Sequence, residues 1–95
     1  MTEIPFQLRE IDDPATAIER IDAIVAAHSL ITTMKGTLKS YPGCTHWHCK
    51  LGREKGTLEI TLWPAKRRAW FKVQSGRRAP WIDEVVPQMK RMLET

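Results

Sequence analysis

Six consecutive residues, Cys44-Thr45-His46-Trp47-His48-Cys49, hold both cysteines and two of the three histidines of this chain. No other stretch gathers so many groups able to bind a metal, move a proton or attack a substrate. On a β-strand, side chains two residues apart share a face. His46 and His48 then lie about 7 Å apart along the strand, with Cys44 on the same side. Glu59, on the next predicted strand, can face them. Two imidazoles and a carboxylate are a ligand set used for Zn²⁺ or Fe²⁺. The metal reading therefore names His46, His48 and Glu59, with Zn²⁺ as its ion. It lacks the second paired cluster of the strongest zinc motifs. The same imidazoles titrate near neutral pH and could exchange protons with a substrate, and Cys44 beside His46 could act as a thiolate. The plainer role for the pair is hydrogen bonding to Glu59, Thr61 or solvent. The third histidine, His28, sits on a helical stripe and reads as a partly buried, satisfied side chain.

A second constellation lies downstream. From Lys66 to Arg78 there are six basic residues and no acid. Residues 1–43 carry a charge of −2 and residues 44–95 a charge of +6. Such asymmetry points to an acidic partner, nucleic acid first. Two tryptophans, Trp63 and Trp70, alternate onto the face that bears the histidines. Aromatic side chains that stack bases, with Arg and Lys on phosphates, make up a single-strand or RNA-binding sheet. The leading functional expectation is therefore a nucleic-acid-binding domain using Trp63, Lys66, Arg67, Arg68, Trp70, Lys72, Arg77 and Arg78. The alternative is a non-catalytic, homodimeric interaction or regulatory module with the tryptophans under a partner. The metal- or histidine-dependent site stands third. No Walker A loop, Gly-x-Gly-x-x-Gly, Gly-x-Ser-x-Gly or His-Glu-x-x-His run occurs, so no residue is assigned a catalytic role and no nucleotide cofactor is expected.

These groups must be positioned by elements the pattern predicts. Asp13-Pro14 reads as a helix start, with Asp13 as the N-cap and Pro14 first in the helix. Ala17, Ile21, Ile24, His28, Ile31, Lys35 and Leu38 recur at steps of three and four, which predicts a long helix to about Ser40. A break at His28-Ser29 with a second helix is the alternative. Tyr41-Pro42-Gly43 ends it. Alternation then predicts strands over 44–51, 57–63 and 68–74, with Trp47, Cys49, Leu51, Leu58, Ile60, Leu62, Ala69, Phe71 and Val73 facing a core. A last helix starts near Pro80, with a kink or restart at Pro87. Residues 1–12 read as an arm or edge strand.

The expected fold is α+β. A three-stranded antiparallel sheet, with an optional N-terminal edge strand, packs one face against a long N-terminal and a C-terminal helix, in the order (β)-α-β-β-β-α. That order resembles the double-stranded-RNA-binding domain in topology. Arg77 and Arg78 precede the last helix as that family's basic residues do. The family's Gly-Pro-x-His motif and Lys-rich helix start are missing, and membership is not inferred.

At 95 residues the chain suits one domain, 1–95. No run approaches the ~18 apolar residues of a membrane span, and MTEIPFQLRE is not a secretory leader. The expected compartment is the cytoplasm, where Cys44 and Cys49 stay free. One of the two is expected in the core and the other nearer solvent.

Overall fold

The computed structural model describes residues 1–95. Its elements are β1 (Thr2–Pro5), α1 (Pro14–Ala27), β2 (Ile31–Gly36), β3 (Thr45–Lys50), β4 (Leu58–Trp63), β5 (Arg68–Val73) and α2 (Pro80–Leu93). Helix α1 begins as its sequence dictates. The Asp13 carboxylate accepts from the Thr16 backbone N–H at 3.4 Å and from its hydroxyl at 2.7 Å. Pro14 takes a position where no N–H is needed. Ala17, Ile21, Ile24 and Val25 bury its apolar stripe.

The long helix is corrected here. It ends at Ala27, with His28 as the cap. Ser29 then adopts a left-handed conformation, φ 61°, and redirects the chain. Ile31, Thr32 and Thr33 follow, a β-branched run that suits a pleated strand better than a helix. The spacing of Ile31, Lys35 and Leu38 matches a helical period without a helix, because Ile31–Lys35 is exposed throughout. With no buried face, β2 has no alternation to announce it.

The three-stranded sheet is corrected with it. One five-stranded antiparallel sheet runs in the order β1-β5-β4-β3-β2, and the element order is β-α-β-β-β-β-α. The N-terminal edge strand is formed: Thr2 pairs with Val73 and Pro5 with Trp70. Pro5 is tolerated because β1 is an edge. The added strands end the topological likeness to the double-stranded-RNA-binding domain.

The core side chains of β3, β4 and β5 join residues of both helices in one apolar cluster. Both helices therefore cover the same face of the sheet. Trp47 is wholly buried there, its indole N–H donating to Asp22 at 2.8 Å. Helix α2 buries Trp81, Ile82, Val86, Met89 and Leu93. It runs on through Pro87 without restarting. The Asp83 carbonyl that Pro87 cannot serve lies on the exposed side, where water can take its place. Both thiols are buried and free. Cys44, expected nearer solvent, is covered by the β2–β3 loop and accepts the Leu38 N–H at 3.3 Å. No helix is long and apolar enough to cross a membrane.

Candidate metal centre

The helix-free face of the sheet holds the chemistry. Strands β3 and β4 pair His48 with Glu59 and His46 with Thr61. Strands β4 and β5 continue the two rows, pairing Glu59 with Lys72 and Thr61 with Trp70. Cross-strand neighbours on one face are within side-chain reach, so the register alone brings His46, His48 and Glu59 together.

Their ligand atoms converge. Nε2 of His46 lies 3.1 Å from Nε2 of His48 and 3.3 Å from Oε1 of Glu59, and Nε2 of His48 lies 3.8 Å from the same oxygen. A tetrahedral ion with bonds of ~2.0–2.1 Å holds its ligand atoms ~3.3–3.4 Å apart, and an octahedral one holds neighbours ~2.9 Å apart. The triangle fits the tetrahedral case with a small adjustment of His48. His48 is the most exposed of the three and so the freest to move.

The surroundings suit ligation. The Thr61 hydroxyl sits 2.8 Å from Nδ1 of His46. With Nδ1–H donating to that oxygen, the Nε2 lone pair points at Glu59 and His48. Fixing a ligand imidazole through its second nitrogen is usual at metal sites. Burial holds His46 below the ordinary histidine value; Glu59 opposes this, while His48 and Lys72 add to the lowering. His46 is thus neutral at pH 7, the form that binds a metal. Glu59 is only 4% exposed, and the nitrogens within 4 Å of its carboxylate are those two imidazoles. A buried carboxylate with no counter-charge in contact is unfavourable until a cation joins it.

A cavity of about 470 Å³ opens beside the triad, with Tyr41, Trp70, Lys72 and Arg77 also in its walls. Tyr41 comes from the β2–β3 loop and stands edge-on to Trp63 and Trp70, with ring centres 4.9 and 5.2 Å apart. Arg77 arrives by another tie. Its carbonyl accepts the Thr57 N–H at 3.0 Å, joining the β3–β4 turn to the loop before α2. Gly56 permits this approach: at φ +102° a Cβ there would sit 2.7 Å from that of Ala79.

The residues expected to bind nucleic acid are dispersed. Trp70, Lys72 and Arg77 meet in the cavity. Trp70 is only 4% exposed, with Tyr41 on it and the Arg68 guanidinium 4.9 Å from its ring centre. Trp63 is half-buried and donates its indole N–H to the Pro42 carbonyl at 3.0 Å. Lys66 and Arg67 are exposed on the turn between β4 and β5, Arg67 bonded to Asp12. Arg78 reaches Thr2 and Asp83, each at 3.1 Å. Cys44 lies outside the group of ligand atoms, which is His46, His48 and Glu59. His28 has its Nδ1 2.9 Å from the Ile24 carbonyl.

Tyr41 is the aromatic lining residue the pattern did not single out, because it read only as the end of a helix. An aromatic beside a Pro-Gly turn, near two tryptophans on a polar face, was the available signal. No family model, curated protein or solved structure matches this chain.

Proposed function

We propose that the protein is a metal-binding domain that holds one Zn²⁺ at His46, His48 and Glu59, with the fourth coordination position turned to the cavity. The observation that carries this is the convergence of two imidazole nitrogens on a buried carboxylate that no lysine or arginine contacts, with separations of 3.1, 3.3 and 3.8 Å. Three protein ligands with one position left for water or substrate is the pattern of reactive rather than purely structural zinc. The site is complete within one chain, so this reading needs no second copy.

Equilibrium dialysis of tag-free protein against Zn²⁺ tests it. One ion per chain is expected, with affinity falling at least ~100-fold in Glu59→Gln, beyond the effect of an outer-sphere change. Binding that is absent, or equal in the variant, refutes it.

Nucleic-acid binding remains a second reading. It is favoured by the exposed Lys66 and by an Arg77 side chain that forms no ion pair. A steep loss of oligonucleotide binding with salt would support it, and no binding at low salt would remove it.

A further inference from the structure

The cavity beside the triad has a charge pattern that the metal does not explain. Of the ten residues lining it, Glu59 is the one acid, against Lys72 and Arg77. The two cations are poorly engaged elsewhere. Lys72 reaches Glu3 only at 3.9 Å. The Arg77 guanidinium takes no part in any side-chain hydrogen bond or ion pair of the molecule, whereas Arg78 beside it is bonded to Thr2 and Asp83. A divalent ion on Glu59 would make the lining more cationic still. Cations free of competing partners attract an oxyanion, and an arginine fork suits a carboxylate or phosphate in particular.

The volume argues against a bare inorganic ion as the whole ligand. About 470 Å³ falls in the range of small-molecule pockets. Tyr41 and Trp70 supply a part-apolar aromatic wall, packed edge-to-face with ring centres 5.2 Å apart. Leu38 extends that wall.

We propose that this cavity binds a small anionic molecule, whose carboxylate or phosphate head lies between the metal ion, Lys72 and Arg77 and whose flat body lies against Tyr41 and Trp70. The proposal rests on the metal reading above. The head completes the coordination sphere, Lys72 and Arg77 neutralise its remaining charge, and the aromatic wall selects the body.

The test uses the full chain loaded with Co²⁺, whose visible spectrum reports its coordination. Acetate, benzoate, inorganic phosphate and phenyl phosphate are titrated in turn. The expected result is a saturable spectral change, with each aromatic anion tighter than its plain counterpart. The tighter head group distinguishes carboxylate from phosphate. Lys72→Met with Arg77→Gln should keep the Co²⁺ spectrum and weaken the anions ~10–100-fold. Arg77→Gln alone, on an exposed loop, should weaken them several-fold, which guards against a misfolded double variant. Equal anion affinity in the variants, or no spectral change with any anion, overturns the proposal and leaves the metal reading standing. An oligonucleotide that displaces phenyl phosphate more tightly than any small anion overturns the small-molecule form. Failure to bind Co²⁺ at all overturns both.

Discussion

On the proposed metal reading, Glu59 serves binding at the expense of the metal-free fold. Its carboxylate is buried with no lysine or arginine within 4 Å, so replacing it with a neutral amide should help the apo protein. Metal-free Glu59→Gln is expected to be as stable as the parent or more so, by up to about 1–2 kcal/mol in urea unfolding, while losing the Zn²⁺ response. A carboxylate with only a structural role would instead be missed by the fold. Cys49 makes a separate prediction. Burial, its largest cause, lifts the thiol from 9.0 to about 11; Asp22 adds to this and a Thr32 hydrogen bond opposes it. The unfolded chain therefore releases this proton first. The contribution is fully present below pH ~9 and is lost as pH rises through ~11, amounting to about 2–3 kcal/mol. Stability measured against pH should fall more steeply over that window in the parent than in Cys49→Ala.

At the scale of elements, the turn from α1 into β2 decides the fold. Ser29 holds φ 61°, a conformation glycine takes without strain. Ser29→Gly should therefore stabilise the protein by about 0.5–1 kcal/mol, read as a higher urea midpoint at unchanged slope. In a helix continuing to Ser40 the same change would destabilise by a similar amount. Strands β3, β4 and β5 were legible because each sets apolar residues on the helix-packed face against mostly polar ones on the other, and alternation survives in Trp47/Cys49, Leu58/Ile60/Leu62 and Phe71/Val73. The start of α1 was legible from Asp13-Pro14. Strand β2 was not, since an edge strand exposed on both faces leaves no period, and Ile31, Lys35 and Leu38 happened to extend a helical one. The triad was legible for the same reason as the strands: period two puts His46 and His48 on one face, and a short hairpin delivers Glu59. Tyr41 was not, because a loop places it; Arg77 was named as a basic residue, but its place beside the triad was not, because it depends on long-range ties such as the Thr57–Arg77 hydrogen bond.

At the scale of the whole molecule, labour is divided between the faces of one sheet. One face and two helices make the core, and the other, free of helices, gathers the histidines, Glu59 and the cavity. The triad spans β3 and β4, so a bound ion links central strands and should stabilise the entire domain. Zn²⁺ at 100 times its dissociation constant adds ~2.7 kcal/mol to the folded state. In a domain of this size that raises Tm by ~10–20 °C, and His46→Ala should abolish the rise. The most direct test of the metal centre is X-ray absorption at the zinc edge of the tag-free, singly loaded protein. It should show four light ligands at ~2.0–2.1 Å, two of them imidazoles, with no sulfur. A sulfur shell at ~2.3 Å, or a zinc coordinated only by water oxygens, would contradict a centre built from His46, His48 and Glu59.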